Sequence, residues 1–207
     1  MPDETKLDAI LFDLGGVLID WNPRYFYRPL FGGDEAAMEN FIATVVAPEW
    51  NREMDAGKSF DDAIAERQRE FPEHAELIGQ WKTGWPTMLG DAIPETVEVL
   101  DALRGRGLRL YALTNWSAET FPIARSRFPF LRWFEDIVVS GEVKLAKPDP
   151  RIFELAIQRC GLRPQSTVFI DDHAPNIHTA QTLGLHALRF EHPRGLRAEL
   201  QRLGLVP

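Results

Sequence analysis

An α/β fold, a parallel sheet flanked by helices with a helical domain inserted after the first strand, is predicted by three observations. After residue 94, short β-favouring runs alternate with stretches of helical periodicity, the pattern of strands joined by helical crossovers. A separate apolar run, Leu7-Asp8-Ala9-Ile10-Leu11-Phe12, precedes that array and adds one more strand. Between the two, residues 19–94 read as helices alone. A chain of 207 residues is long enough for one sizeable core and a subsidiary module. The expected organisation is a Rossmann-like core from residues 1–18 and 95–207, with a helical cap from 19–94.

The first run closes on Asp13-Leu14-Gly15-Gly16-Val17-Leu18, an aspartate and two glycines at a strand end. In the insert, Asp34 before Glu35-Ala36-Ala37-Met38 marks a helix start, and Ser59-Phe60-Asp61-Asp62 resembles a capping box ahead of a helix to about Phe71. Glu73 to Met88 reads as a third helix carrying Leu77, Ile78, Trp81 and Trp85. Short hinges are expected near Asp20-Trp21 and from Gly90 to Pro94. Beyond them, Val97, Leu100 and Leu103 lie at helical spacing within Glu95–Arg104, and Gly105 and Gly107 end that helix. Leu108–Leu113 is a strand, Ala118–Arg127 a helix and Ile137–Ser140 a strand. Pro150 opens the next helix, whose stripe of Ile152, Phe153, Ala156, Ile157 and Cys160 stops at Gly161. Thr167–Ile170, a helix over Ala174–Leu183 and a strand over His186–Phe190 complete five strands.

Composition excludes several classes. With 44% hydrophobic and 26% charged residues the chain is neither disordered nor fibrous, and no apolar stretch approaches the roughly 18 residues of a membrane span. The start, Met1-Pro2-Asp3-Glu4-Thr5-Lys6, is acidic and unlike a secretory leader. A single cysteine, Cys160, excludes an internal disulfide and reads as a buried thiol. A cytoplasmic protein is expected. The net charge is −8, and residues 19–94 hold most of it, with 7 Lys and Arg against 14 Asp and Glu. Such a surface repels polyanions, so nucleic acid is not an expected partner, and without an apolar span neither is a membrane.

Open parallel sheets bind ligands at the carboxyl ends of their strands, where loops and helix N-termini converge. Four polar groups fall there: Asp13, Thr114-Asn115, Lys147 and Asp171-Asp172. In order, Asp13 with Gly16-Val17-Leu18, Leu113-Thr114-Asn115, Lys147-Pro148-Asp149-Pro150 and Ile170-Asp171-Asp172 resemble the four motifs of the haloacid dehalogenase-like (HAD) hydrolase superfamily. The resemblance covers nearly the whole chain and includes the insertion point of a helical cap. It implies a magnesium-dependent phosphomonoesterase acting on a small phosphate ester, with a sugar phosphate as one candidate, through an aspartyl-phosphate intermediate.

The expected roles follow residue by residue. Asp13 is the nucleophile, since a carboxylate at a strand end can attack phosphorus or carbon and divide one hard displacement into two. Gly15 and Gly16 permit close backbone approach, so that the Gly15 carbonyl could ligate a metal and amides around Leu14 could reach substrate oxygens. Thr114 and Asn115 would donate to the transferring group. Lys147 would neutralise charge, with Lys144 as its rival for that role. Asp171 and Asp172 are an expensive adjacent pair unless a cation offsets them, and with Asp13 they make an oxygen-rich site suited to Mg2+. Asn176 is read either as orienting that pair or as a surface residue. His173, His178 and His186 are not expected to act in catalysis.

In most phosphatases of this superfamily an aspartate stands two residues after the nucleophile as general acid and base, yet here that place is Gly15. Three readings remain open. The chain is a phosphatase of the branch resembling bacterial α-glucose-1-phosphate phosphatases, a 2-haloacid dehalogenase using the same nucleophile, or a degenerate binding or regulatory protein. Trp50, Asn51, Arg52, Glu53 and the Asp55-Ala56-Gly57 turn resemble the segment that overhangs the active site in relatives. Arg52 or Arg24 is a candidate for meeting a substrate oxygen. Four of the six tryptophans lie in residues 19–94, where cap packing and sugar stacking are both open readings.

Overall fold

The computed structural model describes residues 6–207; residues 1–5, on which the reading of a leaderless start rests, lie outside the described residues. The chain begins with β1 (Ala9–Phe12) and β2 (Ile19–Trp21). Six helices follow: α1 (Arg24–Leu30), α2 (Glu35–Thr44), α3 (Pro48–Asp55), α4 (Phe60–Glu70), α5 (Ala75–Gly79) and α6 (Trp81–Met88). β3 (Leu89–Ala92) returns antiparallel to β2, pairing Ile19 with Ala92 and Trp21 with Leu89. The two stretches expected as hinges therefore form one small ribbon. Then come α7 (Pro94–Gly105), β4 (Arg109–Thr114), α8 (Phe121–Arg127), β5 (Asp136–Val139), α9 (Ser140–Val143), α10 (Pro150–Arg159), β6 (Thr167–Asp171), α11 (Ala174–Thr182), β7 (His186–Arg189) and α12 (Pro193–Arg202).

β1, β4, β5, β6 and β7 form one parallel sheet in the order β5-β4-β1-β6-β7. The period of two along its strands divides the core. Ile10, Phe12, Leu110, Ala112, Val168 and Ile170 face α7, α12 and the inserted helices, so that this apolar layer runs on into the insert. Ala9, Leu11, Tyr111, Leu113 and Phe169 face Phe153 and Ala156 of α10 and Ile177 and Ala180 of α11. Cys160 is buried at the edge of this second layer, and burial pushes its thiol up to about 11, as expected of an unreactive cysteine. No helix among the described residues is long and apolar enough to cross a membrane.

Local signals explain the helices that the sequence announces. Asp34 caps α2 by accepting the Ala37 N–H at 2.9 Å, and Ser59 caps α4 by accepting the Asp62 N–H at 3.1 Å. Three expectations shift. The single helix over 73–88 is a 3-10 turn at Pro72–His74 followed by α5 and α6, broken at Gln80. α5 ends at Gly79, a poor helix former, where a Cβ would stand 3.0 Å from the Nε2 tip of Gln68 on α4. The helix expected from Ala118 starts at Phe121, because Ser117 forms a turn, its Oγ accepting the Glu119 N–H and its carbonyl the Thr120 N–H. The strand expected to include Ser140 ends at Val139, since Ser140 opens α9 and its Oγ accepts the Trp116 N–H at 2.8 Å. The short helices α1 and α3 and the β2–β3 ribbon were not expected.

Candidate active site

Strand register assembles the site. Phe12 lies opposite Ala112 of β4 and Ile170 of β6, which brings Asp13 level with Leu113 and Asp171, one step short of Thr114. Asp13 continues the ladder by donating its N–H to Ile170 O at 2.8 Å, and its own Oδ1 accepts the Leu14 N–H at 2.7 Å. The following loop then folds tightly, because the N–H groups of Leu18 and Ile19 both return to Leu14 O, at 2.8 and 2.9 Å. Gly16 supplies the left-handed residue, at φ +73°, and a Cβ there would stand 2.7 Å from Asp172 Oδ2. Its N–H donates to Ile19 O at 2.9 Å, and its missing side chain leaves the room that Asp172 occupies, the close approach expected of this glycine.

Lys147 is the buried lysine, whereas Lys144 is exposed. Its Nζ lies 3.0 Å from Asp13 Oδ2 and 2.6 Å from Asp171 Oδ2. Asn115 holds that lysine from outside by accepting the Lys147 N–H at 2.8 Å and donating to Lys147 O at 2.9 Å. Its side-chain amide thus positions Lys147, and since Nδ2 carries two hydrogens, one donor remains beside the cavity that Asn115 lines. Thr114 differs. Its Oγ1 is buried at the end of β4 with no hydrogen-bond partner among the described residues, an arrangement that costs about 1–3 kcal/mol unless a ligand oxygen accepts from it.

Asp171 is saturated with donors: the His173 N–H at 2.8 Å, both contacts from Asn176 Nδ2 at 2.9 and 3.0 Å, and the lysine. Asn176 is thus buried and orients this carboxylate, while the His173 side chain is exposed. Asp172 is exposed, and carboxylate oxygens of Asp13, Asp171 and Asp172 lie within 4.8 Å of one another. Burial pushes the Asp13 carboxyl up, with Asp171 and Asp172 adding to the shift against the pull of Lys147. Burial and the neighbouring Asp171 likewise raise Asp172. For Lys147, burial opposes the charge, but Asp13 and Asp171 outweigh it and hold the ammonium above its ordinary range. Three carboxylates around one ammonium leave two negative charges uncompensated. One divalent cation with oxygen ligands matches that excess, and the oxygen donor set suits magnesium.

A cavity of about 360 Å3 opens beside the cluster and is lined from the core by Gly15, Gly16, Asn115, Trp116 and Asp172. The insert adds apolar walls from Ile42, Val46, Pro48 and Trp85, and polar groups from Asn51, Arg52 and Asp55. Among the described residues, the ion pair of Arg52 is a 3.6 Å exposed contact with Glu49. Arg24 lies elsewhere, in a two-point pair with Glu39 at 2.6 Å. Of the two arginines considered, Arg52 is the one at the cavity. Ile42 and Val46 carried no functional signal in the sequence, because their place depends on how the inserted helices dock.

A family model for haloacid dehalogenase-like hydrolases matches residues 7–184. The chain is 34% identical over 219 aligned positions to acyl-CoA dehydrogenase family member 10 of Mus musculus, a match covering 94% of this chain but only 19% of that protein. It is 25% identical to the sesquiterpene phosphatase astK of Aspergillus oryzae, over 96% of this chain and 97% of that one. Haloacid dehalogenases are also relatives, over about half of the chain. Among solved structures, a HAD family enzyme from Bacteroides thetaiotaomicron in complex with magnesium and inorganic phosphate superposes with a TM-score of 0.69 at 25% identity, covering 89% of this chain and 94% of that one. The chain belongs to the haloacid dehalogenase-like hydrolases.

Proposed function

We propose that this hydrolase is a magnesium-dependent phosphomonoesterase acting on a small phosphorylated metabolite in the cytoplasm. The observation that carries the reading is the doubly negative cluster of Asp13, Asp171 and Asp172 around Lys147. A displacement of halide from carbon has no use for such an excess, whereas bringing an anionic nucleophile to an anionic phosphate needs a cation between them. Magnesium bound there would lower that charge barrier. Asp13, Asp172 and the Gly15 carbonyl are the groups that would hold it. Asp171, also expected as a ligand, has its oxygens engaged by Asn176, the His173 N–H and Lys147 and contributes charge to the cluster. Asp13 attacks phosphorus, Lys147 neutralises the gathering charge, and Thr114 donates to a phosphoryl oxygen. The insert, acting as a cap, closes over the substrate and excludes bulk water. Its tryptophans and aliphatic side chains favour a leaving group with an apolar face, which a sugar ring or an isoprenoid alcohol both present.

The test is a panel of phosphate monoesters and 2-haloacids, each assayed with magnesium and with chelator. Phosphate release that chelator abolishes is the expected result. A second reading, 2-haloacid dehalogenase, is favoured by the same apolar lining and by Gly15, since halide leaves without a proton. Chelator-resistant halide release would establish it, and silence on both panels would favour a binding protein.

Gly16 gives an independent check on the metal. In Gly16→Ala the new methyl meets Asp172 at a left-handed backbone position that costs roughly 1–2 kcal/mol. Half-maximal activation should require about 10–100 times more magnesium. A magnesium titration of activity reads this directly, and an unchanged titration would remove Asp172 from the metal site.

A further inference from the structure

The ionisable side chains lining the cavity are Arg52, Asp55 and Asp172. Asp172 belongs to the carboxylate cluster, and a guanidinium keeps its proton at any ordinary pH. Asp55 is the group left to carry one. From the core side, Gly15 lines the same cavity without a side chain, and a Cβ built on it meets nothing within 4 Å among the described residues. The nucleophile loop therefore leaves that space open and supplies no acid or base there.

We propose that Asp55, carried by the inserted helix α3, is the catalytic acid and base of this site, protonating the leaving oxygen and then taking a proton from the attacking water. The proposal rests on the phosphomonoesterase reading above. In the first half-reaction an Asp13 oxygen bonds to phosphorus as the bond from phosphorus to the leaving oxygen breaks, and that oxygen takes the Asp55 proton and departs as an alcohol. In the second, the Asp55 carboxylate takes a proton from water as the water oxygen bonds to phosphorus. The bond from phosphorus to Asp13 breaks, releasing inorganic phosphate and restoring the Asp13 carboxylate and the Asp55 acid.

The setting of Asp55 suits the role. Its carbonyl accepts from Ser140 Oγ of the core at 2.5 Å, and Asn51 Nδ2 donates to its Oδ2 at 3.0 Å. Just beyond it Gly57, at φ +101°, lies so close to α9 that a Cβ would stand 2.9 Å from Lys144 Cγ and 3.3 Å from Gly141 O. The end of α3 is therefore seated on the core with the carboxyl group partly open to the cavity. Burial pushes this carboxyl up to about 7, against the Ser117 backbone N–H and the Arg52 charge. The charged groups around it are Arg52 on its own helix, Asp172 in the same cavity and Lys144 against the turn that follows. A group titrating near neutrality can serve in both directions. Because it sits on the insert, lifting the insert from the core withdraws the proton donor, so that chemistry waits on closure.

The experiment compares a simple alkyl phosphate, whose alkoxide needs a proton, with para-nitrophenyl phosphate, whose leaving group does not. In Asp55→Asn, kcat/KM for the alkyl ester should fall about 10²–10⁴-fold and that for the nitrophenyl ester less than about tenfold. Adding Gly15→Asp to Asp55→Asn should recover at least about tenfold of the alkyl activity, since the open space at Gly15 can house the acid instead. The wild-type protein provides a reading that needs no variant to fold. Its kcat/KM for the alkyl ester should decline as pH rises through about 7, where Asp55 loses the proton it must donate. Equal losses on both esters, or a flat wild-type profile above neutrality, would overturn the proposal. Wild-type silence on both esters would overturn the phosphomonoesterase reading and this inference with it.

Discussion

Asp13→Asn is expected to abolish phosphate release, lowering kcat by about 10⁴–10⁶-fold, the range seen when a nucleophile on which every later step depends is removed. The substitution is nearly isosteric, but an amide oxygen is a poor nucleophile and cannot form the aspartyl phosphate. The fold should survive, because two effects on stability oppose each other. Burial and the carboxylates of Asp171 and Asp172 already push Asp13 toward its neutral form, so a neutral side chain relieves repulsion. Against that, Asp13 accepts from both the Leu14 N–H and Lys147 Nζ, and an amide can satisfy only one of them with oxygen. The melting temperature should therefore stay within a few degrees of wild type. An acid quench during turnover should trap phosphate on the wild-type protein and none on the variant. Activity within tenfold of wild type in a well-folded variant would mean that another group attacks.

The core and the carboxylate–lysine cluster were legible because each rests on short-range signals that point the same way. Asp13, Thr114, Lys147 and Asp171 stand at or just beyond strand ends, and parallel register then brings strand ends together without further instruction. The insert was legible only as helical. Its packing depends on contacts between distant segments: Gly79, at the end of α5, against Gln68, and Gly84, within α6, where a Cβ would lie 2.5 Å from the Phe26 ring. No window of sequence around Gly79 or Gly84 records those neighbours. Asn115 shows the same limit in the core. Its place was foreseen, but not that the amide also holds the Lys147 backbone, because that contact comes from a loop 32 residues away. Asp55 was visible as part of a segment resembling one that overhangs active sites. Only the docked helix shows it sharing a cavity with Gly15.

Lys147→Met should damage both the fold and the chemistry, and magnesium should separate the two. The lysine side chain is fully buried between Asp13 and Asp171, at 3.0 and 2.6 Å. Methionine fills a similar volume without charge and leaves both carboxylates facing each other in a desolvated site. Removing one partner of a buried ionic group costs about 3–5 kcal/mol, which for a domain of this size lowers the melting temperature by roughly 10–15 °C. The sign of the pH dependence follows from Asp13. Its folded pKa is raised even with Lys147 beside it, so without the ammonium the protonated form is favoured more strongly. A raised folded pKa gives stability that is present below the unfolded value and is lost as pH rises through the folded one. The deficit should thus be smallest near pH 4–5 and grow toward neutrality and above. Saturating magnesium should recover part of the melting temperature, because a dication restores charge between the carboxylates and binds the folded chain alone. It should not restore turnover, because the lysine contacts the nucleophile itself. Melting curves at pH 5 and 8, with and without magnesium, test each step. A deficit independent of pH and metal would show that Lys147 stabilises by packing alone, and the cluster would then lose its place as the origin of the metal site.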